Sequence, residues 1–215
     1  MSADENITEG GIPAGTWNKY RSRNPIQRLL VARFLRKLQS MAAPWAAAVD
    51  SALDVGCGEG VTTRLFYEAG IRNIVGADFS FRVLEEAREQ NPEIRFVRRN
   101  VYALDATEPF DFVSACEVLE HLDDPARALE KIAAICRRVA VFSVPDEPLF
   151  RSLNFLAGKY WKDFGNSPGH LNHWSARAIT REIGKYFDVK ATATPLPWTI
   201  VVATPKGGGH ARDSR

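Results

Sequence analysis

The chain has 215 residues, of which 45% are hydrophobic and 25% charged, so it is long and apolar enough for one globular domain with a large core. Its net charge of +2 is too small to favour nucleic acid or an anionic membrane as a partner, and its three cysteines lack the spacing of a metal or redox site. The N-terminus lacks a signal-peptide pattern and no apolar run nears the roughly 18 residues of a membrane span, which predicts a soluble, cytoplasmic protein without a metal site.

Residues 1–18 are polar and predict a flexible leader, while residues 19–204 predict a single domain. The domain begins with a helix, within residues 19–45, whose apolar residues recur at helical spacing. Asn24 is predicted to cap this helix, with Pro25 as its first residue. The apolar positions are Ile26, Leu29, Leu30, Phe34, Leu35 and Leu38.

Strand-like and helical segments then alternate five times, from "SALDVG" at residues 51–56 to "VAVFSVP" at residues 139–145. Within this region a helix is predicted to be capped by Ser80 and to end at Asn91. The alternation predicts a parallel sheet with helices on both faces. Two further strands, "YFDVKATAT" and "PWTIVVAT", are separated by only a short turn, which favours an antiparallel pair at the end of the sheet.

The predicted fold class is therefore α/β, a doubly wound, mostly parallel, seven-stranded sheet with an antiparallel C-terminal strand. A helical insertion over residues 147–175 interrupts the alternation, because this segment is too long for a simple crossover. The Gly-rich residues 205–215 predict a disordered tail.

Three glycines follow the first predicted strand at every second position, in "ALDVGCGEG". Gly56, Gly58 and Gly60 would let a ligand approach the backbone at the carboxyl end of the strand, where doubly wound sheets bind ligands. A tight turn without a ligand is the alternative. The spacing is not the G-x-G-x-x-G of a dinucleotide site, and Glu59 would repel a pyrophosphate.

A second carboxylate follows the next predicted strand, at Asp78 in "IVGADFS". A carboxylate at this place accepts hydrogen bonds from both hydroxyls of a ribose. The ligand is then expected to be a ribonucleoside with a cationic, zwitterionic arm, which describes S-adenosylmethionine.

The motifs "LDVGCGEG", "VGADFS" and "FDFVSACEVLEHLDDP" together resemble the class I S-adenosylmethionine-dependent methyltransferases, over about residues 48 to 145. The likeness is to the small-molecule branch that includes the ubiquinone-biosynthesis O-methyltransferases. The resemblance implies S-adenosylmethionine as cofactor and a small acceptor as substrate. It also implies that Asp78 holds the ribose, with Phe79 beside the adenine. The residues implied along the methionine arm are Asp54, Gly56, Cys57 and Gly58.

Further cofactor residues follow from the same resemblance. Asn100 and Val101 occupy the place where the family often has Asp-Ala at the adenine edge, and an amide can both donate and accept there. Cys116 and Glu117 end the fourth strand, against the methionine part of the cofactor; for Glu117 the alternative is a solvated helix start. For His121 a structural role, capping or pairing with Asp123 or Asp124, is favoured over a catalytic one.

The N-terminal helix is expected to pack across the cofactor site as a lid, with a membrane surface or an anionic partner as the alternative. The resemblance places Arg28 near the cofactor's carboxylate, although it is displaced by one residue from the family's arginine. Tyr20 is expected to close over the sulfonium, because an aromatic face attracts a cation.

A neutral acceptor also needs a base to take its proton. The insertion carries His170 and His173, and imidazole titrates near neutrality, so these two are the predicted catalytic residues, with a loop-bracing role as the alternative. The insertion's aromatic residues favour a small apolar or aromatic acceptor, with a lipid-like molecule as one possibility, and O-methylation is the favoured reaction. The alternatives are a non-catalytic S-adenosylmethionine-binding protein and a nicotinamide-dependent oxidoreductase, whose glycine spacing is missing.

Overall fold

The computed structural model describes residues 8–9, 12–13, 20, 24–147 and 171–207. Seven strands form one sheet in the order β3-β2-β1-β4-β5-β7-β6. Strands β1 to β5 pair in parallel, and β7 runs antiparallel to both of its neighbours, which confirms the predicted doubly wound, mostly parallel sheet. The strands are β1 (Ala52–Val55), β2 (Ile74–Asp78), β3 (Arg95–Arg98), β4 (Phe110–Cys116), β5 (Cys136–Pro145), β6 (Phe187–Ala193) and β7 (Trp198–Pro205).

Five α-helices are described, and side chains cap the first turns of all but α2, which begins after Gly60. Asn24 accepts from the backbone N–H groups of Ile26 and Gln27, and Ser80 accepts from that of Val83, so both predicted caps form. The helices are α1 (Pro25–Ala42), α2 (Val61–Glu68), α3 (Phe81–Gln90), α4 (Pro125–Ile135) and α5 (Ala176–Ile183). In the polar leader, residues 8–9 and 12–13 form a short antiparallel pair that the sequence did not predict.

Two apolar layers sandwich the sheet. One contains buried residues of α1, α2 and α3, and the other contains buried residues of α4 and α5. Helix α1 buries Val31, Phe34 and Leu38 against the sheet, whereas Ile26 and Leu29 point into solvent at 68% and 58% exposure. The apolar face of this helix is therefore narrower than its sequence predicts.

The strand order reverses at β1, which has β2 on one side and β4 on the other. In such sheets the carboxyl ends of the strands on either side of the reversal leave a crevice for a ligand. The candidate site is built there.

Candidate active site

The turn from β1 to α2 contains the three regularly spaced glycines, and all have positive φ angles: Gly56 at 67°, Gly58 at 52° and Gly60 at 82°. They differ in what surrounds them. A Cβ at Gly56 would lie 2.4 Å from a methyl of Val118, and one at Gly60 would lie 2.9 Å from the ring of Phe96. Among the described residues, no atom would lie within 4 Å of a Cβ at Gly58. Gly56 and Gly60 therefore serve the packing of the turn, whereas Gly58 faces a space that no described residue fills.

Asp78 ends β2 beside this turn. Its Oδ2 accepts the backbone N–H of Gly58 and its Oδ1 accepts that of Ser80, both at 3.0 Å. The residue is only 8% exposed, so this carboxylate is fixed at the crevice by backbone donors. The structure thus brings together Asp78, which is predicted to hold the ribose, and Gly58, which is predicted to lie along the methionine arm. Phe79 follows, half-buried, and its carbonyl accepts the Nε–H of Arg98 at 2.8 Å.

Asp54 lies beneath the turn rather than beside the open space. It is fully buried, and its oxygens accept hydroxyl hydrogen bonds from Thr62, Thr63 and Ser114 at 2.9, 2.6 and 2.6 Å. Burial raises the pKa of this carboxyl, and the three hydroxyl donors oppose that shift. Asp54 thus ties the end of β1 to α2 and β4, and its predicted place along the methionine arm stays a prediction.

The two cysteines of the predicted site also point inward. Cys57 and Cys116 are 5% and 6% exposed and belong to the core layer that includes α1, α2 and α3. Burial and the nearby charges of Asp54 and Asp78 raise the pKa of the Cys57 thiol well above its usual range. A contact between Cys57 and a ligand would therefore come from its backbone.

Asn100 follows β3 and is exposed. Its Oδ1 accepts the backbone N–H of Tyr102 at 2.9 Å and so caps a short 3₁₀ turn, Val101–Ala103. Val101 itself is buried in the core. The amide NH₂ and the second lone pair of Oδ1 remain for an adenine ring, so Asn100 can both donate and accept there.

Glu117, directly after β4, is the only non-glycine residue with a positive φ in the described part of the chain, at 60°. Its Oε2 accepts the indole N–H of Trp198 at 2.7 Å and its Oε1 accepts the hydroxyl of Ser143 at 3.1 Å. The alternative of a solvated helix start is therefore wrong. A strained backbone at a strand's carboxyl end is typical of functional residues.

The partners of Glu117 were missed by the sequence analysis. Trp198 starts β7, 81 positions further along the chain, and faces the end of β5 because β7 is antiparallel to it. Its ring lies 4.9 Å from that of Phe34 in α1, so the N-terminal helix is packed directly against a residue that holds Glu117. A tryptophan just after Leu196-Pro197 was the only sequence signal, and it is equally typical of core packing.

The remaining predicted residues are placed as follows. Tyr20 is half-buried and packs against the core layer that includes α1, while Arg28 is exposed in the first turns of α1. His173 is exposed just before Ser175, which caps α5. His170 lies outside the described residues, as do residues 148–170 of the predicted insertion.

Both ends of that insertion meet at the candidate site. The backbone N–H of Glu147 donates to the carbonyl of Trp174 at 3.0 Å, and those of Leu171 and Asn172 both donate to the carbonyl of Glu120. The insertion therefore leaves and rejoins the described part of the fold next to the turn that follows β4.

A family model described as a methyltransferase domain matches residues 20–186, more than three quarters of the chain. The chain belongs to this methyltransferase family. The resemblance of the three motifs is confirmed, and S-adenosylmethionine is the cofactor of the family to which the domain belongs. The methyltransferase domain has accepting carboxylates at Asp78 and Glu117 and open space at Gly58. This set suits a ligand with ribose hydroxyls and an ammonium group.

Solved and curated methyltransferases agree with the fold. A magnesium protoporphyrin IX methyltransferase from Synechocystis PCC 6803 with bound SAH superposes with a TM-score of 0.67 over 88% of this chain and 94% of that one, at 18% identity. A ubiquinone biosynthesis O-methyltransferase of Methylococcus capsulatus is 34% identical over 110 residues, 48% of this chain and 44% of the relative. A trans-aconitate 2-methyltransferase of Azoarcus sp. is 28% identical over 114 residues, 50% and 45% of the two chains. The chain thus spans about half the length of the curated relatives it matches.

Asp78→Asn is expected to weaken binding of S-adenosylhomocysteine and of adenosine at least tenfold. It removes one charged acceptor, and a hydrogen bond to a charged group contributes about 1.5–3 kcal/mol. Isothermal titration calorimetry measures both affinities, and Asp188→Asn on the exposed side of β6 is the matched control. A folded Asp78 variant with wild-type affinity for adenosine would remove the ribose from this position.

Glu117→Gln is expected to weaken binding of the methionine half of the cofactor without affecting binding of the adenosine half. It keeps the size of the side chain but removes its charge, so affinity for S-adenosylmethionine should fall about tenfold while affinity for adenosine, which has no methionine arm, stays unchanged. Trp198→Phe keeps the ring contact with Phe34 but removes the indole donor, and should act in the same direction by less. Equal losses for both ligands would contradict a contact between Glu117 and the methionine arm.

Proposed function

We propose that the protein transfers a methyl group from S-adenosylmethionine to an oxygen of a small apolar or aromatic acceptor. The observation that carries the proposal is the open space at Gly58 beside the fixed carboxylate of Asp78, at the point where the strand order reverses. The curated relatives support a small acceptor, since one is named as an O-methyltransferase of ubiquinone biosynthesis and one as a trans-aconitate methyltransferase.

The chain's residues would act on the bound cofactor in three places. Asp78 would accept from the ribose hydroxyls, Phe79 and Asn100 would meet the adenine, and Glu117 would face the ammonium of the methionine arm. S-adenosylmethionine supplies a methyl group that is already activated by its sulfonium, so the protein's task is to align the acceptor and to remove its proton. The two histidines of the insertion, His170 and His173, are the proposed groups for the proton.

The acceptor is proposed to lie under the insertion of residues 147–175. The described ends of this segment are hydrogen-bonded at the edge of the sheet that carries Gly58 and Glu117, which supports this placement of the acceptor. Six aromatic residues of the insertion favour an apolar or aromatic acceptor: Phe150, Phe155, Tyr160, Trp161, Phe164 and Trp174. Trp174 is the one within the described residues, where it is half-buried against the core.

We also propose that the protein acts in the cytoplasm. All three cysteines of the chain are buried free thiols, which is usual in the reducing cytoplasm. No helix among the described residues is long and apolar enough to cross a membrane.

The proposal is tested by transfer of a tritiated methyl group from S-adenosylmethionine to a panel of acceptors. An alkyl-substituted catechol, an aromatic amine of the same size and a tricarboxylate are tested in parallel. The Asp78→Asn variant, which should bind the cofactor weakly, is the low-activity control. We expect labelled catechol and little labelled amine. Label on the amine alone would contradict O-methylation, and normal cofactor binding with no transfer to any acceptor would favour a non-catalytic binding protein.

A further inference from the structure

The outward face of α1 is unusually basic for a chain of nearly balanced charge. The 18 residues of this helix contain no aspartate or glutamate, but four cations, and all four are exposed. The cations are Arg28, Arg33, Arg36 and Lys37. The net charge of +2 for the whole chain therefore conceals a local positive patch.

Exposed apolar side chains share this face with the cations. Ile26, Leu29 and Arg33 follow one another at intervals of three and four residues, and Arg36 and Lys37 continue the same stripe, so these five side chains lie on one side of the helix. The buried residues Val31, Phe34 and Leu38 occupy the opposite side.

A groove continues the face toward the turn between β6 and β7. It has a volume of about 480 Å³. Its lining residues are Arg33, Arg36, Lys37, Ser40, Ala193, Thr194 and Pro195. The next residue of the turn, Leu196, is a large apolar side chain with 50% exposure. Within the described part of the chain, none of the three lining cations forms an ion pair with a carboxylate.

The groove and the candidate active site open on the same edge of the sheet. Pro145, the last residue of β5, pairs with Trp198 at the start of β7, so the turn before Trp198 lies at the carboxyl end of the parallel strands. Phe34 connects the two regions, because it packs on Trp198 from the buried side of α1.

We propose that Ile26, Leu29, Arg33, Arg36, Lys37 and Leu196, together called the helix–turn surface, dock the protein on an anionic phospholipid membrane. The cations are complementary to lipid phosphates, and three exposed apolar side chains among them match the apolar layer just below the headgroups. A soluble anion would engage the cations but leave the apolar side chains in water. The surface requires no particular methyl acceptor, so it goes beyond the proposed function.

The test is sedimentation of the full chain with vesicles of phosphatidylcholine alone and of phosphatidylcholine mixed with phosphatidylglycerol. We expect binding to the mixed vesicles only, weakening as salt is raised. Arg33→Gln/Lys37→Gln should lower the partition coefficient about thirtyfold, because each basic residue near an anionic surface multiplies binding about fivefold. The matched control, Arg95→Gln/Arg137→Gln, makes the same change of charge at the opposite edge of the sheet, where β3 and β5 begin, and should bind as the wild type.

A second pair of variants tests the apolar part. Ile26→Ser/Leu29→Ser keeps every charge and should lower partition into the mixed vesicles roughly tenfold, while melting temperature and S-adenosylhomocysteine affinity remain those of the wild type. Equal binding to both vesicle types, equal losses in the two charge variants, or full binding by the serine variant would overturn the proposal. So would displacement from vesicles by inorganic phosphate at the same ionic strength, or tight binding of polyglutamate without binding to vesicles, since these identify a soluble anion or an acidic polypeptide as the partner.

Discussion

Gly58→Val is expected to abolish binding of S-adenosylmethionine, a loss of more than about a hundredfold, in a protein that still folds. The added side chain would project into the open space at the turn between β1 and α2, where no atom of a described residue lies within 4 Å of a Cβ. The fold should survive because the cost is confined to the backbone: a side chain at a φ of 52° costs roughly 1–2 kcal/mol.

The chain offers a matched control for that strain. Gly207 also has a positive φ, at 73°, and a Cβ there would likewise meet no atom of the described part of the chain within 4 Å, but it lies beyond the end of β7. Gly207→Val should therefore lower the melting temperature about as much as Gly58→Val while leaving cofactor affinity unchanged. Gly56→Val should behave differently from both, because its Cβ would lie 2.4 Å from Val118 and overpacking costs about 1–3 kcal/mol in addition to strain.

Calorimetry with S-adenosylhomocysteine measures the affinity of each variant, and a thermal melt measures its stability. Normal affinity in a folded Gly58→Val protein would show that the ligand does not approach this turn, and that all three glycines serve the backbone alone. Loss of affinity in the Gly207 variant as well would assign the effect to general destabilisation.

The sheet could be predicted from the sequence because its signals are local. Each strand is a short apolar run bounded by turn residues, and caps such as Asn24 and Ser80 mark where helices begin. The exposed positions Ile26 and Leu29 were assigned to an apolar face, because periodicity shows which residues share a face but not which neighbours cover them.

The candidate site was only partly predictable because its contacts are long-range. Asp54 and Asp78 both end buried strands, and nothing in their spacing indicates that one is enclosed by three hydroxyls and the other is fixed at the crevice. Likewise, the three glycines are evenly spaced in the sequence, but that spacing does not show which side chains surround each of them. The hydrogen bond from Trp198 to Glu117 depends on β7 returning antiparallel beside β5, which places the start of one strand at the end of the other.

The end of the insertion that carries the proposed base is hydrogen-bonded to the turn after β4. The N–H groups of Leu171 and Asn172 donate to the carbonyl of Glu120, and the side-chain amide of Asn172 donates to the carbonyl of Leu122 at 2.6 Å. This anchor holds the end of the insertion on the turn after β4, beside Glu117. His173 follows the anchor and His170 precedes it, the latter outside the described residues.

His170→Ala is expected to lower turnover at least a hundredfold while affinity for S-adenosylmethionine stays unchanged, because a positioned base contributes about 10²–10⁴ to proton transfer and takes no part in holding the cofactor. His173→Ala should cost less, since this residue immediately precedes the first turn of α5. Steady-state rates with a catechol acceptor and calorimetry with the cofactor measure the two quantities separately.

Turnover measured over a range of pH distinguishes a catalytic base from a residue that only holds the insertion in place. If His170 takes the acceptor's proton, raising the pH should restore part of the turnover of His170→Ala, because an acceptor that has already ionised needs no base. Asn172→Ala breaks the anchor without removing an imidazole, so its lost turnover should not return at high pH. Recovery in both variants, or near-normal turnover in both single histidine variants, would remove the base from the insertion. Alignment of the acceptor alone, or Glu117 as the base, would then account for the rate.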